Sequence, residues 1–242
     1  MSRLAWSILG PRLRWNQTFR PRFILPAMLL LAAAGLLVAS YFQPYWRMTL
    51  HAPQYPKGLF VQAYLNRLEG DVAEIDGLNH YIGMRPLNEA AQLERETSAM
   101  MIVATALLVL GGIIIHSRWA ALLAAPAILF PGGFLLDLYL WMRHFGMNLD
   151  PAAPLSTSIK PFVPPVLGTG MVGQFKTVAA AGPGWWMALG AAAIVLVALW
   201  LHRRAYKPIF DARRRACQCG DCACGAKRGV IAPTVKREAV TQ

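Results

Sequence analysis

The order of apolar and polar positions divides the chain before any single residue is considered. Four apolar runs, residues 23–43, 98–116, 119–141 and 185–201, are set among polar segments at 1–22, 44–97, 142–184 and 202–242. Each run approaches the ~20 residues that cross about 30 Å of hydrocarbon. An all-α membrane protein with four transmembrane helices is therefore expected. The first run exceeds the roughly 7–15 apolar residues of a signal peptide, so it is read as a retained helix, although Val38 and Ser40 are small enough to flank a cleavage site. Pro126 and Pro131-Gly132-Gly133 predict a kink or loosening in the third run. Gly111 and Gly112 in the second suit close helix contact.

The polar segment 44–97 predicts local structure of its own. Residues 58–77, GLFVQAYLNRLEGDVAEIDG, read as two short strands around a turn at Asn66–Asp71. Alternation is visible at Phe60, Gln62, Tyr64 and Asn66, and Gly70-Asp71 is turn chemistry. The following LNHYIGMRP reads as a tight turn bounded by Gly and Pro. After Pro86 a helix with Asn88 as its N-cap is expected to run unbroken into the second span. The fold class thus includes a small α+β loop, hairpin plus turn, after the first helix. Segment 142–184 is rich in Pro and Gly and lacks periodicity. It reads as extended chain along the membrane surface, packed on the first loop. Trp185-Trp186 opens the last span as an interfacial pair.

Composition supports this division. Apolar residues make up 56% of the 242 and charged residues 15%, against roughly 25% charged in a soluble domain. The net charge of +12 sits mainly at the two ends. With both termini inside, the inner segments hold sixteen Lys and Arg (five, one and ten) and the outer loops eight (five and three). The positive-inside rule then gives an N-in/C-in orientation. The same distribution accounts for the basic balance without a nucleic-acid partner. In a bacterial cell the chain is a multi-pass inner-membrane protein, and both large loops are periplasmic.

No phosphate-binding Gly-rich loop, His-Glu-x-x-His helix or Gly-x-Ser-x-Gly elbow is present, and no enzyme activity is expected. The densest polar stretch is Asp71–Met84, DVAEIDGLNHYIGM. Its His80 and Met84 combine imidazole with thioether, a donor set that suits copper, above all Cu(I). If the turn is helical, the two are four apart and share a face. Met48, His51, Met100, Met101, Met142, His144 and Met147 fall near the same boundary, with Met100, Met101, His144 and the carboxylate Asp137 as possible supporting ligands. The competing reading is that the methionines fill irregular packing and the histidine bonds its turn. Asp71, Glu74 and Asp76 offer either a hard-cation site or partners for Arg67 and Arg85. Asp137 lies inside the third span, where a carboxylate normally faces protein or water. His144 is its expected partner, and a proton or metal path is the alternative.

All four cysteines, Cys217, Cys219, Cys222 and Cys224, fall within eight residues. On the reducing side of a membrane they suit a soft ion better than a disulfide. The close spacing favours a compact Cu(I) or zinc site over a zinc ribbon, with an iron–sulfur cluster as a third choice.

The stretch YPKGLFVQAYLNRLEGDVAEIDGLNHYIGMRPLNEAAQLERE resembles the periplasmic segment of a family of bacterial multi-spanning inner-membrane proteins, whose Glu-Ile-x-x-Leu-Asn-His-Tyr-Ile-Gly-Met core precedes a membrane-entering helix. PPVLGTGMVGQFKT is similar to a companion segment of that family. The resemblance covers about residues 44–185 and leaves out the cysteine tail. It implies an association with maturation of a copper enzyme, notably nitrous oxide reductase. The expected function is Cu(I) binding and metal delivery to, or assembly of, a respiratory copper enzyme, with a protein partner in a respiratory or maturation complex. The alternative is a scaffold subunit that binds no metal and docks a partner through its periplasmic loop.

Overall fold

The computed structural model describes residues 21–115, 119–155, 158–172 and 175–218, with 21–23, 172 and 208–218 described for their backbone path alone. In chain order the elements are helix α1 (Pro21–Ser40), strands β1 (Trp46–Ala52), β2 (Tyr55–Ala63) and β3 (Leu68–Gly70), and helix α2 (Val72–Ile82). A single 3-10 turn (Leu87–Glu89) leads to α3 (Gln92–Ile114) and α4 (Trp119–Met147). Strands β4 (Gly168–Val172) and β5 (Phe175–Ala181) then lead into α5 (Pro183–Gln218).

Three helical stretches, Gln92–Ile114, Trp119–Met147 and Pro183–Lys207, are long and apolar enough to cross a membrane, and the apolar stretch Ile24–Ser40 of α1 is shorter. The four helices close a ring in which α1 packs on α3 and α5, and α4 packs on the same two. The residues between them are small: Ala33 and Ala34 of α1, Ala106 of α3, Ala124 and Ala127 of α4, and Ala198 of α5 share one core with Leu30, Val109 and Val195. Large apolar residues such as Leu107, Leu129, Leu136 and Leu196 point outward. Lipid offers no hydrophobic drive to bury leucine, so close backbone approach and dispersion contacts hold such a bundle together. The Trp185 indole donates to the Pro131 carbonyl at 2.9 Å, which ties α5 to the middle of α4.

Both large loops contribute to one antiparallel sheet of order β3-β2-β1-β5-β4. β1 is its centre, paired with β2 from Trp46↔Ala63 to Ala52↔Tyr55 and with β5 from Trp46↔Ala181 to His51↔Lys176. The first loop therefore carries more strand than a hairpin, and the Pro/Gly-rich segment supplies the other two strands. Alternation works here as strand chemistry requires. Trp46, Met48, Leu50 and Ala52 of β1, Leu59, Val61 and Ala63 of β2, and Ala179 of β5 form the inner face, closed by Ile75 of α2 and by Phe134, Leu138 and Met142 of α4. The sheet thus sits over the end of α4.

A tight knot joins sheet to bundle. Tyr45, fully buried, accepts from the Gly182 amide at 2.8 Å through its carbonyl, and the Gly184 amide donates to Pro44 at 2.9 Å. A Cβ at Gly182 would run into the Pro44 carbonyl, so only glycine lets the start of α5 approach the end of α1 this closely.

Three local expectations are corrected. The turn after β2 lies at residues 64–67, closed by the Tyr64 amide to the Arg67 carbonyl at 2.9 Å, the second strand is the short β3, and residues 72–82 are helix where strand was expected over 72–77. Ile75, Leu78 and Ile82 give that segment a helical apolar face, and this outweighs the turn chemistry of Gly70-Asp71. LNHYIGMRP is accordingly the end of a helix rather than a free turn. Nor does the helix after Pro86 run unbroken. The 3-10 turn ends at Glu89, and Ala91 adopts a left-handed φ of 52° before α3 begins, while Asn88 accepts from Arg95 through its side chain and its carbonyl.

Candidate functional site

Two of the three carboxylates in the Asp71–Met84 stretch, Asp71 and Asp76, hold backbone. Asp71 Oδ2 accepts from the Phe60 amide at 2.8 Å, fixing α2 to β2, and Asp76 Oδ1 accepts from the Leu87 amide at 2.7 Å. Arg67 pairs with Glu69 at 2.5 Å rather than with Asp71, both side chains being exposed, and this guanidinium holds the Glu69 carboxyl below its ordinary range. Such a pair contributes little to stability. Among the described residues no three His, Cys, Asp or Glu side chains converge as a metal group.

The end of α2 decides where His80 and Met84 go. Gly83 takes a left-handed φ of 79°. The Met84 amide donates back to Asn79 at 2.9 Å and the Gly83 amide to His80 at 3.3 Å, a paired closure that favours an apolar residue just past the glycine. The chain therefore reverses at Gly83. The helical four-residue spacing of His80 and Met84 does not apply, because α2 ends at Ile82. His80 is exposed with its ring edge-on to Tyr81, while Met84 is buried against Ile82 and Phe145. The segment between α4 and β4 clamps this turn, since the Asp150 amide donates to Gly83 at 2.8 Å and the Leu155 amide to Tyr81 at 3.1 Å.

Met84 has company inside. Met48 of β1, Met84 and Met142 of α4 line one small cavity of about 20 Å³, together with Asn79. Asn79 is 6% exposed, and its Nδ2 is buried without a hydrogen-bond partner. Buried amide donors are nearly always satisfied, so an orphan of this kind marks a place where an acceptor, such as a water, belongs. A cavity of this size holds about one water or one ion. The two other supporting methionines are placed differently. Met100 is 65% exposed on the outer face of α3, and Met101, 58% exposed, lines a second and much larger cavity.

That larger cavity, of about 370 Å³, lies between α3 and α4 beneath the sheet. Gly111 meets Leu123 where the two helices lie close, and the space between them opens toward the sheet. Gly133, Phe134, Asp137, Leu138, Trp141 and Phe145 recur along one face of α4, with Trp46 and Val61 of the sheet as roof. Two carboxylates, Glu94 and Asp137, belong to the lining. Asp137 does not meet His144, whose Nδ1 lies 3.2 Å from the Asn148 amide nitrogen and whose ring packs on Trp141.

No known protein family matches this chain, and no curated protein is similar to it. Cys219, Cys222 and Cys224 lie outside the described residues, as does the side chain of Cys217. Neither Asn79 nor Glu94 stands out in the sequence. The methionines and Asp137 were legible as candidates, and Gly83 followed by an apolar residue is a helix-stop pattern that could have shown how Met84 is turned.

Proposed function

We propose that this protein is an integral membrane protein that binds Cu(I) on its sheet side and assists delivery of copper to, or assembly of, a respiratory copper enzyme. The observation that carries the reading is the convergence of Met48, Met84 and Met142, from three separate elements, on one ion-sized cavity. Thioethers are neutral, soft donors that select Cu(I) over zinc, calcium or magnesium. A site without charged ligands suits cargo that must leave again. His80, exposed on the same helix end, is the surface group that first meets the ion, and Met84 is the inner ligand. Copper is the only metal assigned to this side. The cysteine group Cys217, Cys219, Cys222 and Cys224 remains a second soft site, for Cu(I) or zinc, on the opposite face.

This reading keeps the four-span, N-in/C-in arrangement in a bacterial inner membrane, with the sheet in the periplasm. Charge distribution and the apolar helices support it. A second reading, a scaffold that docks a partner without metal, is favoured by one feature. Tyr81, 56% exposed beside His80, offers an aromatic contact at the tip of α2.

The test is Cu(I) binding by the detergent-purified chain with all four cysteines changed to Ser, read by competition against a chromogenic Cu(I) chelator. One copper per chain is expected, lost when Met48, Met84 and Met142 are all changed to Leu, a swap of similar volume. His80→Ala should slow uptake and leave the stoichiometry intact. Unchanged copper in the triple Leu variant would rule out the thioether site and leave the scaffold reading standing.

A further inference from the structure

The cavity between α3 and α4 is separate from the methionine site and has its own chemistry. Its volume of about 370 Å³ falls at the lower end of ligand-binding pockets, which run from about 300 to 1,000 Å³. Aromatic rings line it from three directions: Trp46 from the sheet, Phe130 and Phe134 from one end of the α4 face, and Trp141 and Phe145 from the other. Such a lining packs best on a flat ring, face or edge. Glu94, Met101 and Gly133 of the lining are themselves exposed, so the cavity opens to the outside of the bundle between two helices of membrane-crossing length.

The polar groups narrow the ligand further. Neither Glu94 nor Asp137 forms a hydrogen bond or ion pair with a described residue, and Arg95, the one cation among the described residues of the lining, is turned to Asn88. Ionised carboxylates only accept hydrogen bonds. An occupant must therefore bring donors. A phospholipid would bring a phosphate against two carboxylates with the nearby guanidinium already engaged. A hydroquinone brings a flat ring, an apolar tail and two O–H donors. The backbone at Ala91, also in the lining, is held at a left-handed φ of 52°, a strained conformation of the kind that gathers at ligand sites.

We propose that this cavity binds a membrane quinol, with the ring between the aromatic side chains and its hydroxyls donating to Asp137 and Glu94. The same acceptors disfavour the oxidised quinone, whose carbonyl oxygens have no proton to offer. The site reads the redox state of the lipid-phase pool by hydrogen-bond direction alone, and no electron transfer is required of the chain.

The experiment uses the full-length protein in detergent. Short-tailed ubiquinol and the matching ubiquinone are titrated under anaerobic conditions, and quenching of tryptophan fluorescence is followed. The quinol should bind about tenfold more tightly, or better, than the quinone, since a hydrogen bond to a charged group is at stake. Glu94→Gln with Asp137→Asn, whose amides can donate as well as accept, should erase that preference. Gly133→Leu should abolish binding of both forms, because Gly133 belongs to the lining at the exposed opening and a Cβ there meets no atom within 4 Å, which leaves room for a bulky side chain to block entry. If that variant does not fold, Gly133→Ala should weaken both forms by a measurable factor. Equal affinity for quinol and quinone in the parent protein would overturn the proposal. So would a preference that survives the double amide variant, binding insensitive to either Gly133 substitution, or a tightly retained phospholipid in native mass spectra that quinol cannot displace.

Discussion

Replacing Gly83 by Ala tests the turn on which the methionine site depends. Two costs add. An L-residue held in the left-handed region loses about 1–2 kcal/mol. The new Cβ would also stand 2.7 Å from the Asp150 carbonyl oxygen, 2.9 Å from its amide nitrogen and 3.0 Å from the Ala153 Cβ, so the clamping segment must move. That movement puts at risk the 2.8 Å hydrogen bond from Asp150 to Gly83, worth about 1 kcal/mol net. The sum is about 2–3 kcal/mol of destabilisation. Gly77 supplies an internal control on the same helix. A Cβ there meets nothing within 4 Å, and Ala should stabilise α2 by up to about 1 kcal/mol. Thermal unfolding in detergent reads both. At roughly 2–4 °C per kcal/mol for a chain of this size, Gly83→Ala should lower the midpoint by about 4–12 °C while Gly77→Ala holds or raises it. Amide hydrogen exchange should localise the loss to Asn79–Met84 and Asp150. A midpoint for Gly83→Ala equal to that of Gly77→Ala would refute the account of this turn.

Two further substitutions test the supports around the site. Asp76→Ala removes the acceptor of the Leu87 amide in a largely buried setting and should cost about 1–3 kcal/mol in chemical denaturation, whereas Asp76→Asn, which keeps a carbonyl oxygen there, should cost less than half as much. Burial pushes the Tyr45 phenol up to about 12 from its usual 10.0, with the Ser40 hydroxyl at 2.6 Å offsetting part of the shift. The folded state therefore favours the neutral phenol. Its stabilising contribution is complete below pH 10 and is lost between pH 10 and about 12. The unfolding midpoint of the parent protein should fall more steeply over that range than that of Tyr45→Phe, and parallel curves would count against a buried neutral phenol.

The apolar helices were legible in the sequence, because in lipid every backbone polar group must be satisfied within its own segment. An uninterrupted run such as 98–116 has no alternative to a helix, and the alanines at 33, 34, 124 and 127 already mark where helices can approach. The strand character of residues 59–63 was legible for a similar local reason. The 72–82 helix was open to reading as well, in Ile75, Leu78 and Ile82 and in Gly83 with an apolar residue after it. Turn chemistry at Gly70-Asp71 drew the expectation toward a hairpin, and the helix instead uses Asp71 to bond the neighbouring strand.

Pairing across the sheet and the composition of both cavities lie beyond local pattern. β1 is joined to β5 across more than a hundred residues, and nothing in GTGMVGQFKT specifies that partner until Tyr45 and Gly182 bring the two loops together. Met48, Met84 and Met142 stand out in sequence only as thioethers near one boundary, and nothing there groups these three apart from Met100, Met101 and Met147, since thioether is a common packing group. Only the reversal at Gly83 turns Met84 inward, and only the seating of the sheet on α4 brings the other two beside it. His80 and Met84, adjacent in the sequence pattern, are separated for the same reason. The sequence determined that this chain folds as apolar helices carrying a polar platform. The tertiary structure decided which polar and soft side chains share a cavity, because that depends on contacts between elements and not on the period of any one of them.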